Sequence, residues 1–308
     1  MRRVLGLVEG NSGGPLIILV GGMHGNEVAG IKAINEVFRA IRLNRIPING
    51  TLVGLAGNLQ AIAKNRRFID YDLNRCWKPE FIESVYHKQH TLAEDIELKT
   101  LHQHLLSYSD AGFAQKILVD LHTTSSEKGN FIIVSANEAG NSMVQSLKQP
   151  VVIDLDQHLT GTLLQYIQSH GFFSMAFEGG LIGSPQAIDL HIAGIWEILK
   201  SGGAIAPDAN SSFVHLSKRL RRYSEKLPQL VRVRYHHKIK ANHQFTMKPG
   251  FKNFQPVKQG QEVASDRDGS IYAPVAGLMF LPLYQSVGED GFFIVEEVKK
   301  GSPVKYEQ

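Results

Sequence analysis

The sequence predicts an α/β sandwich around a mixed, largely parallel sheet, followed by a small all-β domain. Two observations carry this. Through the first two-thirds of the chain, strand-length apolar runs alternate with segments of helical periodicity. After about residue 226 the rhythm changes to short strands separated by Gly, Pro and Asp turns. The expected division is therefore 1–226 and 227–308.

The elements follow in order. "PLIILVGG" reads as a buried strand. "EVAGIKAINEVFRAI" places Val28, Ile31, Ile34, Val37, Phe38 and Ile41 near i, i+3, i+4 spacing, the signature of an amphipathic helix. "GTLVGLAGN" is a second strand and "TLAEDIELKTLHQHLLSY" a second long helix. "KILVDLH", "FIIVSA" and "PVVIDL" are strands, then come the helix "TLLQYIQSHG" and the strand "FFSMAFEGG". "PQAIDLHIAGIWEILKS" is a last amphipathic helix, with Pro185 suited to its first turn. Beyond it, "LVRVRYHHKIK", "QEVAS", "GSIYAPVAGLMFLP" and "GFFIVEEV" read as the short strands of the β domain. No fixed-period repeat or low-complexity tract interrupts them.

Bulk composition limits the function classes. Hydrophobic content of 43% and charged content of 20% are those of a soluble globular chain of 308 residues. No apolar run approaches the roughly 18–20 residues of a membrane helix, and the run after "MRR" is too short for a signal peptide. A single cysteine, Cys76, cannot form an internal disulfide, so a cytoplasmic location is expected. Net charge is +4, and the densest basic stretch is 217–240. It is either a polyanion contact or a solvated helix followed by a charged edge strand. No nucleic-acid motif accompanies it, and the second reading is expected.

Chemistry concentrates at strand ends, where ligands gather in open α/β sheets. His24 and Glu27 follow "PLIILV", His122 ends "KILVDLH", and Glu178 ends "FFSMAFE". Two His and a carboxylate with an open fourth position form a hydrolytic metal set, whereas a closed structural site usually needs several Cys. Such a metal activates water and polarises a carbonyl, and a second carboxylate, for which Glu178 is the candidate, moves the proton. Taken singly these residues have plainer readings. With 13 His in the chain, His24-x-x-Glu27 also fits a helix start, His122 a core histidine, and Glu178 a turn cap. "AKNRRFIDYDLNRCW" shifts the balance. Arg66, Arg67, Asn74 and Arg75 are the groups that bind carboxylates and oxyanions beside a metal. His102 and His104 on a helix, and His236 and His237 on a strand, point apart and make poor chelates.

Together, "GGMHGNE", "GNLQAIAKNRRFIDYDLNR", "DLHTT" and "AFEGG" resemble the ordered signatures of the succinylglutamate desuccinylase/aspartoacylase family, within the zinc-carboxypeptidase-like superfamily. The resemblance covers roughly residues 15–200. It implies a zinc-carboxypeptidase-like α/β/α sandwich and one zinc per chain held by His24, Glu27 and His122. It implies Glu178 as general base and then acid, and Arg67 as the residue that polarises the scissile carbonyl. Asn74 and Arg75 would grip the substrate's α-carboxylate, Asn58 would lie near the substrate, and Asp72 would orient its neighbours. Asp120, two residues before His122 on a strand, faces the same side. It is read either as the partner that fixes an imidazole or as a buried strand-end residue.

The activity so implied is a zinc-dependent deacylase that hydrolyses the amide of a small carboxylated N-acyl amino acid. The alternative is a metallocarboxypeptidase acting on short peptides. The expected partners exclude nucleic acid and membrane, and a homo-oligomer is left open. The chain departs from the family in having Asn58-Leu59 where Asn-Pro is common. Aspartoacylases also place an Arg shortly before the catalytic Glu, yet residues 149–177 contain no Lys or Arg. N-acetylaspartate would lose a charge-assisted contact worth about 1.5–3 kcal/mol. His158, Thr160 and Thr162 lie in the loop expected near the pocket. The C-terminal part resembles a barrel-sandwich hammerhead, with "GLMF" where a carrier Lys would stand. Related deacylases use such a domain to narrow access to the metal.

Overall fold

The computed structural model describes residues 1–298 apart from 110, 111, 114, 208, 210–213, 241 and 286. Its backbone is a mixed sheet. The first strands are β1 (Val4–Glu9), β2 (Asn11–Gly21), β3 (Asn49–Ala56) and β4 (Lys116–Thr124). Then come β5 (Asn130–Ile133), β6 (Val151–Ile153), β7 (Phe173–Leu181) and β8 (Leu230–Lys238). The remaining six are β9 (Thr246–Met247), β10 (Gln255–Val257), β11 (Glu262–Asp266), β12 (Gly269–Tyr272), β13 (Gly277–Phe280) and β14 (Asp290–Glu297). The main sheet runs β1-β3-β2-β4-β7-β5-β6-β8-β14-β13-β10, and β12-β11-β9 form a smaller one. Pairings β3–β2, β2–β4 and β4–β7 are parallel, as are β5–β6 and β6–β8, while β1–β3, β7–β5 and those beyond β8 are antiparallel.

Strand β2 shows why this is a three-layer structure. Its side chains alternate between faces, and both faces are covered. Ile17 and Leu19 enter one core with α1 (Ala29–Leu43), α5 (Ser142–Leu147), α7 (Pro185–Ser201) and α8 (Val214–Ser224). Leu16, Ile18 and Val20 enter the other with α3 (Pro79–His87), α4 (Ala93–Ser109) and α6 (Leu163–Gln168). Each fully buried Leu, Ile or Phe contributes about 1.5–3 kcal/mol. The short α2 (Leu59–Ala63) follows β3.

An all-β region from β8 to β14 is present, and the main sheet passes into it without a break. Strand β8 pairs with β6 on one side and β14 on the other. The charged edge strand expected here is therefore an interior strand. Its arginines are matched by neighbouring acids, Arg232 with Asp154 at 3.3 Å and Arg234 with Glu296 at 3.1 Å, while Val231 and Val233 point into the core. On α8, Arg219 and Arg221 pair with Asp189 and Glu197 of α7. One apolar cluster joins Phe131, Val152 and Leu155 to Val231, Phe280 and Phe293 across the junction. Another, including Met247, Val263, Phe292 and Ile294, lies within the all-β region. Among the described residues no helix is long and apolar enough to cross a membrane.

Candidate metal centre

The carboxyl ends of β2, β4 and β7 assemble the site. After β2 the chain turns through Gly22, at φ 75°, and closes with Glu27 N–H donating to His24 O at 3.0 Å. Gly25 packs so tightly that a Cβ there would stand 2.2 Å from the Ala61 carbonyl carbon, and its N–H donates to Arg67 O. Helix α1 starts only at Ala29 without a side-chain cap. Glu27 is thus not spent on the helix, and its carboxylate is turned inward. His122 and Glu178 are register partners on adjacent parallel strands.

His24, Glu27 and His122 are buried and offer ligand atoms within 4.8 Å of one another. Both imidazoles present Nδ1 to the Glu27 carboxylate, His24 at 2.8 Å and His122 at 3.2 Å. Their far nitrogens are held from behind. His24 Nε2 lies 3.3 Å from Asp72 Oδ1, and His122 Nε2 lies 2.8 Å from Asp120 Oδ2. Thr123 N–H donates to Glu27 at 2.8 Å. Two imidazoles and a carboxylate facing one point, each imidazole backed by a carboxylate, fit a divalent metal ion. Glu178 lies on the same cavity, and its Oε2 is buried without a hydrogen-bond partner.

Burial would raise Glu27, but the two histidines outweigh it and hold its carboxyl well below the usual range. Burial likewise opposes ionised Asp72, yet His24 and Arg67 hold it well below its usual value. Burial would lower His122, but Asp120 and Glu27 raise it well above an ordinary imidazole. Glu178 is pushed up to about 8, chiefly by burial and further by Glu27 and Asp120, against the pull of His122 and Arg67.

The arginine loop is organised by a residue absent from the sequence reading. Glu94 of α4 is fully buried and accepts from the backbone N–H groups of Ile69, Asp70 and Tyr71 at 2.7–3.4 Å. It also accepts from Asn58 Nδ2 at 2.9 Å. Asn58 is buried, caps α2 by accepting from Ala61 N–H, and does not line the cavity. The residue expected near the substrate thus has its amide bonded to the cap and to Glu94. Arg67 does line the cavity. Its Nε and Nη2 donate to Asp72 Oδ2, and its Nη1 lies 3.7 Å from Glu27. Asn74 Oδ1 accepts from Leu163 N–H, leaving Nδ2 near His122 Nε2 at 3.5 Å. Cys76 is buried and its thiol donates to Asp72 O; burial pushes it up to about 12, in keeping with a packing role.

Arg75 lines the same cavity and is gripped from the far end of the chain. Its Nη2 donates to Asp290 Oδ2 at 2.5 Å, and Asp290 Oδ1 lies 2.8 Å from His236 Nε2. His236 in turn stacks on Phe293 at 4.3 Å. No motif marks Asp290 or His236; the only sequence hint is an acid placed just before the strand "GFFIVEEV". The cavity, about 170 Å³, brings together His24, Glu27, Arg67, Asn74, Arg75, Asp120, His122 and Glu178. Leu281, Leu283, Gln285 and residues 288–290 of the all-β region form part of its wall. Thr162 lines it too, while His158 and Thr160 line an adjoining depression with Arg75 and Asp290. Behind the site, the buried His191 ring fills the space that a Cβ on Gly179 would need; it donates to Ala187 O, and burial lowers it to about 4.

Comparison with known proteins locates this arrangement. The family model for the succinylglutamate desuccinylase/aspartoacylase catalytic domain matches residues 13–174. A probable aspartoacylase from Acaryochloris marina is 33% identical over 118 residues, 38% of each chain. A succinylglutamate desuccinylase from Yersinia pestis is 28% identical over 123 residues, 39% of this chain and 35% of that protein. The match thus spans little more than a third of these relatives' length. The crystal structure of a succinylglutamate desuccinylase/aspartoacylase from Rhodobacter sphaeroides superposes with a TM-score of 0.67 at 17% identity. It covers 96% of this chain and 88% of that one, a likeness of fold.

Proposed function

The chain belongs to the succinylglutamate desuccinylase/aspartoacylase family, and from that premise we propose that it is a zinc-dependent hydrolase cleaving the amide bond of a small N-acyl amino acid. One observation carries the reading: His24, Glu27 and His122 converge beside the unpartnered Glu178 carboxylate oxygen in a small cavity. In this reading residues 1–226 carry the catalysis, the chain after 226 walls the cavity, and the enzyme is cytoplasmic. A carboxypeptidase would need an open groove for its peptide. The wall contributed by Leu281, Leu283 and Gln285 supports the deacylase over that alternative.

His24 Nδ1, His122 Nδ1 and Glu27 would hold the zinc ion. When bound, the ion supplies Lewis acidity, polarising the scissile carbonyl and lowering the pKa of a water towards about 7. Asp72 and Asp120 keep the two imidazoles turned with Nδ1 towards Glu27. Glu178 Oε2 takes the proton of the attacking water and delivers it to the leaving amine nitrogen. A cation beside Glu178 would draw its raised value back down, so that the carboxylate can accept. Arg67, its plane fixed by two bonds to Asp72, turns Nη1 to the developing oxyanion. Arg75 and Asn74 Nδ2 receive the substrate's α-carboxylate.

The test is hydrolysis of a panel of N-acetyl, N-succinyl and N-formyl amino acids by the zinc-loaded protein and by Glu178→Gln. The variant should keep its metal and lose turnover by at least about 10²-fold. A fully active Glu178→Gln on whichever substrate is found would remove Glu178 from the proton transfer.

A further inference from the structure

The cavity has a wall that the proposed chemistry does not use. Ile133, Leu155, Leu159, Leu164, Leu281 and Phe293 line it. Five of these, all but Leu164, belong to or pack against the apolar cluster at the junction with the all-β region, so the wall is braced from behind. The amides beside it are held, Gln165 at both ends and Gln168 and Gln285 at one. Gln165 Nε2 donates to the Asp156 and Leu159 carbonyls, and its Oε1 accepts from Thr162 N–H. Gln168 Nε2 donates to Ser135 Oγ, and Gln285 Oε1 accepts from Asn26.

Charge points the same way. Among the described lining residues, Arg67 and Arg75 are the only Lys or Arg, and each is already engaged by a carboxylate, Asp72 or Asp290. The other ionised groups away from the metal ligands are acids: Asp156 and Glu289 are exposed at the cavity's edge. One substrate carboxylate can share Arg75. A second would find apolar side chains, these acids and neutral donors such as Thr123 Oγ1 and Gln285 Nε2, but no further cation in the cavity lining to replace its lost hydration.

Resting on the deacylase reading, we infer that the substrate carries a single carboxylate and a small aliphatic group that packs on this wall. The aliphatic group replaces the second carboxylate that a dicarboxylic N-acyl amino acid would bring. The same chemistry is met by an aliphatic amino-acid side chain or by an aliphatic acyl group, and the assay separates them.

The experiment compares kcat/KM of the zinc-loaded protein on N-acetyl-L-leucine and N-isobutyrylglycine with that on N-acetyl-L-aspartate and N-succinyl-L-glutamate. At least one aliphatic substrate should exceed both dicarboxylates by about tenfold or more, the scale set by apolar pocket contacts. Whichever aliphatic arm leads shows whether the wall meets the side chain or the acyl group. A dicarboxylate equal or better overturns the inference while leaving the deacylase reading intact. If none is hydrolysed, calorimetric Kd values for the same ligands on zinc-loaded Glu178→Gln decide separately. Tighter binding of an aliphatic ligand supports the wall's role; tighter binding of a dicarboxylate, or no binding at all, overturns it. In Leu159→Arg, which puts a cation on a half-buried wall position, the Kd ratio should move towards N-acetyl-L-aspartate by about tenfold. An unchanged ratio in the folded variant counts against the inference.

Discussion

Replacing Asp290 by Asn tests whether the all-β region positions Arg75, the cavity-lining arginine proposed to receive the substrate's carboxylate. Asp290 accepts from Arg75 through one oxygen and from His236 through the other. Asn keeps the shape and one acceptor, but removes the charge and turns an NH₂ towards one of these donors. Exposed ion pairs are worth about 0–1 kcal/mol, and breaking a fully buried pair costs about 3–5 kcal/mol. The Arg75 and Asp290 side chains are 21% and 18% exposed, which places the expected loss between, at about 1–3 kcal/mol at pH 7. Burial alone would raise the Asp290 carboxyl, but His236 and Arg75 hold it below its ordinary value. A depressed folded value means that the stabilisation is complete above the unfolded carboxyl's pKa of about 3.9 and is lost as pH falls through the folded one. The stability gap between wild type and variant should therefore close as pH drops below about 4. Urea unfolding across pH measures this. On a hydrolysed substrate, KM should rise at least about threefold with kcat within about twofold, because neither Asp290 nor Arg75 touches the reacting atoms. Unchanged urea midpoints together with an unchanged KM would refute the positioning role.

Two further substitutions separate scaffold from substrate contact. Asn58→Ala should cost about 1–2 kcal/mol through the lost α2 cap and the bond to Glu94. It should leave KM alone; a raised KM at unchanged stability would return Asn58 to the substrate. Glu94→Gln should lower stability by about 2–3 kcal/mol, since its oxygens accept three backbone N–H groups in a buried setting. It should also reduce kcat by loosening the loop that carries Arg67 and Asp72, and a variant with unaltered kcat would show that Glu94 only stabilises.

The sandwich is legible in the sequence because its central strands are apolar on both faces and helix α1 keeps one apolar stripe, as β2 and α1 show. Helix α7 is apolar enough to be found, but it is buried on every side from Leu190 to Leu199, including Glu197. What escapes is short or nonlocal. Helices α2 and α5 span five and six residues, too few turns for a period to emerge. Strand β8 carries the alternating charge of an edge strand, yet β6 and β14 pair with its two edges, and Asp154 and Glu296 lie beside its arginines. At the site, His24, Glu27, His122 and Glu178 stand out because each follows or ends an apolar strand, where a sheet collects chemistry. Asp290 is silent because its meaning depends on Arg75, 215 residues earlier. The bonds of Asn58 escape for a similar reason: an Asn at a strand end does not reveal in sequence that its side chain caps the next helix and donates to Glu94, 36 residues on.

The central claim, that His24, Glu27 and His122 hold one metal ion, is tested most directly by zinc stoichiometry after metal loading and gel filtration. Wild type and Glu178→Gln should each carry about one zinc per chain, and folded His122→Ala should carry less than about a tenth of that. Full stoichiometry in His122→Ala, or a wild-type protein that retains no zinc, would contradict the account.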